Sequence, residues 1–364
     1  MAAGLVESFM DTQDGFLDAS DWLGTRQGFL PVPIIITEPA VGYGGGVALT
    51  FFHGQFSGQP VEARQNHGQS RRVPPSVSAI ALGGTENGTW FAGAGHLGVW
   101  RQDSIRYLGG VGYADANLDY YGSQGELQRP VNFNSKAFAL VQEVSFRLAD
   151  SHFFAGLGYR LVDTDNVFHV GSAVPTPGIP SVTFNRRSAG LTLTFNYDSR
   201  DNIFTPNEGL DVEIKFGNYG KIWGGDDEFN EYSAYLKGYQ RLGSRWVAGL
   251  RLDGKGIEGE APFYEYPYVD MRGIKVMRYQ GEKVALGEME LRWSFHPRWS
   301  LVGFAGLAAT WRAGDEAVNE RLWSRGLGFR YLVARKLGLQ MGLDIAKGPE
   351  DVAFYVQVGS AWLR

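Results

Sequence analysis

The chain has 364 residues, 34 Lys and Arg against 39 Asp and Glu for a net charge of -5, 50 glycines, 14% aromatics and no cysteine. The acidic balance argues against a nucleic-acid binder, and the absence of cysteine excludes a disulfide framework and thiol chemistry. No stretch approaches the roughly 18 apolar residues of a membrane-crossing helix, so any spanning structure has to be a closed barrel of strands.

Residues 1–29 carry Leu5, Val6, Phe9, Phe16, Leu17, Trp22 and Leu23 among Asp11, Asp14, Asp18 and Asp21. The pattern fits a short amphipathic helix on the periplasmic side, and equally a disordered terminus. No leader is visible behind Met1, so the chain reads as a mature form without its signal peptide. From residue 30 onward, period-two alternation takes over, and the barrel is expected over 30–364. The first strand, 30–38, is interrupted by Pro31 and Pro33 and followed by Pro39. Proline donates nothing to a ladder and belongs at an edge, so this strand reads equally as the weakest seam or as a short strand that ends early at Pro33.

Strands follow near 42–54 and 75–86, joined by a Gln-, Arg- and Pro-rich stretch, 55–74, expected to be mobile. Others lie near 89–100, 105–116, 136–148, 152–164 and 187–199. In the last of these, Leu191, Leu193, Phe195 and Tyr197 share one face, while Thr192, Thr194, Asn196 and Asp198 share the other. Strands near 208–218, 229–242, 246–255, 285–293, 301–311, 327–333, 337–345 and 354–362 complete sixteen, an even number as bacterial barrels require. Short connections at 149–151, 242–244, 296–298 and 334–336 alternate with long ones near 117–134, 165–186, 219–229 and 257–281. That asymmetry separates periplasmic turns from outer loops.

Two connections carry distinctive residues. Residues 197–209 read Tyr-Asp-Ser-Arg-Asp-Asn-Ile-Phe-Thr-Pro-Asn-Glu-Gly. Asp198 and Asp201 are placed to cap local N–H groups, Pro206 fixes φ and Gly209 permits positive φ, which describes a register-fixing turn. A metal site from Asp198, Asp201 and Glu208 is the weaker reading. The longest connection holds Met271-Arg272-Gly273-Ile274. Strand register turns Glu288, Glu290 and Asp344 inward on a nearby wall, and a guanidinium inside a lumen needs acceptors. Arg272 is therefore expected to pair with Glu290; the bland alternative is a solvated arginine beside a turn glycine.

Enzyme signals are poor. The six histidines show no metal-ligand spacing. Ser151-His152 sits in a short turn without a third partner, and no Gly-x-Ser-x-Gly elbow occurs. Gly42-Tyr43-Gly44-Gly45-Gly46 lacks the Lys-Ser/Thr of a phosphate loop. No catalytic residue, cofactor or metal is expected.

The two motifs in this order, followed by the C-terminal stretch from Phe354 to Trp362, resemble the BamA/TamA-type bacterial surface-antigen barrels. These form an insertase and translocase superfamily, and the resemblance covers about residues 30–364. It implies an all-β, sixteen-stranded antiparallel transmembrane barrel in the bacterial outer membrane, with the sixth outer loop folded into the lumen. Arg272 and Gly273 would stand at that loop's tip, locked by Glu290 and Asp344. Asp198, Arg200, Asp201, Pro206 and Gly209 would form the family's turn. The seam would lie between Pro33 and Ile35 on the first strand and Val356, Val358, Gly359 and Trp362 on the last. Implied partners are outer-membrane lipids, lipopolysaccharide and a separate periplasmic delivery protein.

Two departures stand out. The residues before the first strand are too few for one POTRA module, which implies a POTRA-less member. In the thirteenth strand the family carries Phe-x-Asp-x-Gly, whose aspartate pairs with the loop arginine; here the stretch is Phe304-Ala305-Gly306-Leu307-Ala308. The expected function is assistance of protein or lipid insertion or passage at the seam. The alternative is a passive channel or structural barrel, which the missing carboxylate at Gly306 favours.

Overall fold

Period-two alternation puts one chemistry on each face of an extended chain, and in this protein it runs through a single sheet. A computed structural model describes residues 10–11, 13–20, 29–38, 40–53, 76–121, 131–169, 181–311 and 319–362. The 55–74 stretch, Pro39 and most of residues 1–29 lie outside the described residues. The strands are β1 (Phe29–Ile36), β2 (Gly44–His53), β3 (Ser76–Thr85), β4 (Trp90–Trp100), β5 (Ile105–Tyr120), β6 (Val131–Arg147), β7 (Phe153–His169) and β8 (Ser181–Asp198). They continue as β9 (Gly209–Tyr219), β10 (Phe229–Leu242), β11 (Trp246–Gly259), β12 (Lys283–Ser294), β13 (Trp299–Trp311), β14 (Glu320–Ala334), β15 (Leu339–Lys347) and β16 (Val352–Val358). Each pairs antiparallel with the next, giving a nearly closed sixteen-stranded barrel.

The outward face is apolar and open. Leu307 is 71% exposed and Met289 68%, while Leu193, Phe195, Leu327 and Leu343 share that condition. The opposite face of the same strands buries Thr192, Thr194, Glu288, Ser324, Arg330 and Asp344. So large an exposed apolar surface is tolerated only against lipid. Tryptophans mark both rims: Trp246 stacks on Trp293 at 5.6 Å and Trp299 lies 4.4 Å from Tyr331 at the short-turn end, with Trp90 beside Tyr113 at the other. Strands β5–β8 run 16 to 18 residues, beyond the about 9–11 that a bilayer needs, so they project on the long-loop side.

Several strands run longer than the sequence reading, β8 from Ser181 and not 187 and β14 from Glu320 and not 327, while two boundaries near the C-terminus fall short of it. Arg335–Leu337 form a 3₁₀ turn closed by Gly338 at φ 64°, so β15 begins at Leu339 and not at residue 337. Strand β16 stops at Val358, because Gly359 adopts φ 80°. Trp362 therefore does not continue the strand: it is buried, with its ring 5.7 Å from Tyr239 of β10.

In the amino-terminal segment, residues 10–11 and 13–19 form a bridged turn and extended chain. Met10 bridges Leu17, and the turn between them encloses the guanidinium of Arg298, which follows β12. Arg298 donates to Asp11 at 2.5 Å, Asp14 at 2.7 Å and Asp18 at 2.5 Å, and its side chain is 0% exposed. The Ala19 N–H donates to Val333 O at 2.7 Å, at the irregularity in the β14–β15 register. The Tyr331 hydroxyl donates to Leu17 O at 2.5 Å, and the Ser20 hydroxyl accepts from the Lys336 N–H. Asp11, Asp14 and Asp18 are thus a clasp on the ends of β12–β15, and Asp21 lies outside the described residues.

Both Asp14 and Asp18 sit below the usual carboxylate range. For Asp14 the Arg298 hydrogen bond is the main cause. For Asp18, burial pushes upward but is outweighed by hydrogen bonds from Ser20 and Arg298. A depressed carboxylate contributes stability above its ordinary pKa and loses it as pH falls through the lowered value. The Ala19 and Ser20 amides should resist hydrogen exchange at neutral pH and lose protection well below pH 3.8, the ordinary carboxylate value. In Arg298→Gln they should exchange freely at both.

Candidate functional site

The connection between β11 and β12, residues 260–282, is an ordered stem with a tight tip. Tyr268 bridges Gln280, the Val269 N–H donates to Tyr279 O at 3.0 Å, and the Ile274 N–H donates back to Met271 O. Gly273 has φ 85°, and a Cβ there would stand 3.0 Å from Gly348 N, so only glycine fits the turn against the β15–β16 connection. The Gly273 N–H donates to the Tyr355 hydroxyl on β16 at 2.8 Å.

This tip carries Arg272 onto the inward-facing side chains of three strands. Nη1 donates to Asp344 of β15 at 2.8 Å, Nη2 donates to Glu290 of β12 at 3.1 Å, and Nε lies 3.6 Å from Glu288. The guanidinium stacks over the Phe304 ring of β13 at 3.5 Å. Two further arginines share the acids: Arg330 donates to Asp344, and Arg251 donates to Glu288 at 2.7 Å and to Asp253. The Ser324 hydroxyl donates to Arg272 O. Beneath the charges, Val269, Met271 and Ile274 pack on Val284, Leu286, Ala308 and Leu322. Charge pairing and apolar packing thus hold the same tip.

The expected Arg272–Glu290 pair is present, and Asp344 joins it. The missing carboxylate in β13 has a steric counterpart. A Cβ on Gly306 would stand 2.5 Å from Met271 Sδ and 2.8 Å from Glu288 Cγ. Glycine there makes room for the tip, and β15 supplies the acid instead.

The stem is held on other sides as well. Glu38, between β1 and β2, accepts from the Val276 N–H at 3.2 Å. Lys275 pairs with Asp351 at 2.9 Å, and Arg278 with Glu350 at 2.7 Å. Arg160 of β7 donates to Glu265 at 2.7 Å.

The Asp-rich turn between β8 and β9 is a structural knot. Asp198 is fully buried and accepts from Arg106 and from Arg200 Nε, both at 3.0 Å. Asp201 caps the N–H groups of Asn207 and Glu208 at 2.9 and 3.2 Å. Gly209 has φ 103°, and a Cβ there would lie 2.4 Å from Ser199 O. Pro206 offers its carbonyl to Arg292 of β12 at 3.2 Å, and Arg292 also bonds Asn207. The turn then reaches the end of β16, where the Ser360 N–H donates to Phe204 O at 2.6 Å. Arg292 was missed in the sequence, although it continues the inward alternation of Glu288 and Glu290. Among the described residues no group of three or more potential metal ligands gathers, at Asp198, Asp201 and Glu208 or elsewhere.

The seam is unpaired. All eight residues of β1 pair with β2, and β16 pairs with β15 from Val352 to Val358. Among the described residues, β1 and β16 approach each other without a ladder. Pro31 and Pro33 are two apart and so address the same edge. The unbroken β2 ladder places that donor-poor edge toward β16. Ile35 on β1 and Val358 on β16 are exposed beside it.

Residues 111–362 match the Omp85 superfamily domain. The chain belongs to the Omp85 superfamily. Omp85 barrels are outer-membrane proteins, in keeping with the apolar outward band. The fold is similar to BamA from Haemophilus ducreyi lacking POTRA domains 1–3, with TM-score 0.59 and 11% identity over 99% of this chain and 82% of that one. It is also similar to CdiB from Acinetobacter baumannii, with TM-score 0.57, 10% identity and 92% of this chain covered, and to CdiB from Escherichia coli, with TM-score 0.57, 10% identity and 90% covered. The chain spans 60% and 62% of those two CdiB chains. At such identities the likeness concerns the fold. No curated protein matches the sequence.

Replacing Arg272 by Ala would leave Asp344 and Glu288 buried beside fewer cations, a change that costs roughly 3–5 kcal/mol where a buried pair is broken. The tip should then undock while the barrel stays folded. Trypsin added outside should cleave Arg272→Ala at Lys275 or Arg278 and spare the parent, with heat-modifiable gel mobility unchanged in both.

Proposed function

We propose that this Omp85 barrel assists insertion or passage of proteins, or of lipid, at the β1/β16 seam. The observation that carries the reading is the seam itself: two neighbouring edge strands without a ladder, one of them deprived of donors by Pro31 and Pro33. Unpaired edges are ready to accept another strand, and proteins ordinarily cover them. In this reading the 260–282 loop lies in the lumen and Arg272 is its lock. The lock bears on the seam because Gly273 holds Tyr355 of β16. Lipid, lipopolysaccharide and a periplasmic delivery protein are the partners proposed, and the reading assigns no enzymatic reaction.

The passive-channel alternative drew its support from the carboxylate missing at Gly306. Asp344 gives Arg272 a carboxylate from another strand, and that support falls away.

The test is accelerated folding of an unrelated outer-membrane protein in liposomes that contain this barrel, followed by gel mobility. Cysteine pairs drawn from Pro33 or Ile35 and Val356 or Val358 would introduce the protein's first thiols. The parent should speed folding several-fold. Oxidation of a cross-linking pair should remove the gain and reductant restore it. Equal folding with and without the parent barrel, or acceleration that survives the cross-link, would refute the seam mechanism.

A further inference from the structure

The projecting ends of β5–β8 hold a feature that neither the seam nor the arginine cluster uses. There the inward face turns from polar to aromatic. Phe133 and Phe168 stack at 4.9 Å, and Phe263 of the 260–282 loop packs edge-on at 5.0 Å from Tyr120, 5.4 Å from Phe133 and 5.5 Å from Phe168. Beside these rings is a cavity of about 510 Å³, within the roughly 300–1,000 Å³ of small-molecule sites. Val182 and Phe184, on its wall, are 45% and 48% exposed. Apolar side chains facing water at the barrel mouth gain by being covered.

The polar groups of the wall narrow the choice of ligand. Tyr264 shares a hydrogen bond with Ser188 at 3.2 Å, and Arg186 faces Asp227 at 3.4 Å. Asn166 is different. It is 1% exposed, and its Nδ2 donates to Thr164 Oγ1 at 2.8 Å and to Phe184 O at 3.3 Å. Its Oδ1 is buried with no hydrogen-bond partner. A buried acceptor without a donor is costly, and a ligand that brings one relieves that cost.

We infer that this cavity binds a small aromatic compound bearing one hydrogen-bond donor, such as a phenol or an indole. The ring lies among Tyr120, Phe168, Phe184 and Phe263, and the O–H or N–H donates to Asn166 Oδ1. Aromatic pairs favour offset or edge-to-face packing, which these walls present. Part of the wall belongs to the 260–282 loop, so a bound ring also joins that loop to the β5–β8 side of the barrel.

The test uses the full-length barrel in detergent and two probes of one shape, 4-ethylphenol and 4-ethylanisole, the second with its donor methylated. Saturation-transfer NMR titrations report binding, and Phe184→Arg, which puts a charge on the cavity wall, supplies the micelle background. The phenol should bind saturably and about tenfold or more tighter than the anisole. Asn166→Leu should abolish that preference, and Phe184→Arg should abolish saturable binding. Equal binding of the two probes to the parent protein, which needs no variant, would overturn the proposal. So would phenol binding unchanged in Phe184→Arg.

Discussion

A guanidinium withdrawn from water has to be met by carboxylates, and Arg272 finds them on separate strands. Glu290 and Glu288 come from β12 and Asp344 from β15, while Phe304 of β13 offers its ring face between them. None of these groups is well placed without the others. Arg251 and Arg330 complete the balance by holding Glu288 and Asp344 from the far side. Buried ion clusters of this kind add little net stability over apolar packing, but removing one member is severe. Their effect is to allow one arrangement of loop and wall and disfavour others.

Strand β12 connects this cluster to the Asp-rich turn. Its inward positions run Glu288, Glu290, Arg292: the acids receive the loop tip, and the arginine holds Pro206 and Asn207 of the turn. Both motifs then reach the last strand region, the tip through Tyr355 and the turn through Ser360. The strand whose free edge lacks a ladder is therefore held at two heights, by Gly273 at Tyr355 and by Phe204 just beyond its end. An edge strand so placed keeps its position without giving up its unpaired backbone groups.

The barrel was legible because its strands obey one period, and the lumen side followed from the same alternation. The Arg272–Glu290 pair was legible for that reason. What stayed hidden depends on contacts distant in sequence. Asp344 was expected in the lock from its inward register, but that Gly306 makes room for Met271 of the loop tip shows only when β13 is brought against the 260–282 loop. Arg298 reads as an ordinary turn arginine until Asp11, Asp14 and Asp18 arrive from about 280 residues away. Alternation counting carried Trp362 onto the last strand because a positive-φ glycine at 359 leaves no mark on a hydrophobic pattern. The same blindness, at Gly338, placed the start of β15 two residues early.

The clasp around Arg298 also sets a load path. Residues 10–20 are fastened to the ends of β12–β15, on the β16 side of the seam, whereas the sheet begins at Phe29 on the β1 side. Tension applied from the amino-terminal side meets the three-carboxylate turn before it meets the β1–β2 ladder. An edge strand pulled from its end peels one hydrogen bond at a time, but a guanidinium gripped by several carboxylates has to let go of them together. The clasp thus acts as strain relief, isolating the proline-bearing edge strand of the barrel from forces arising outside it.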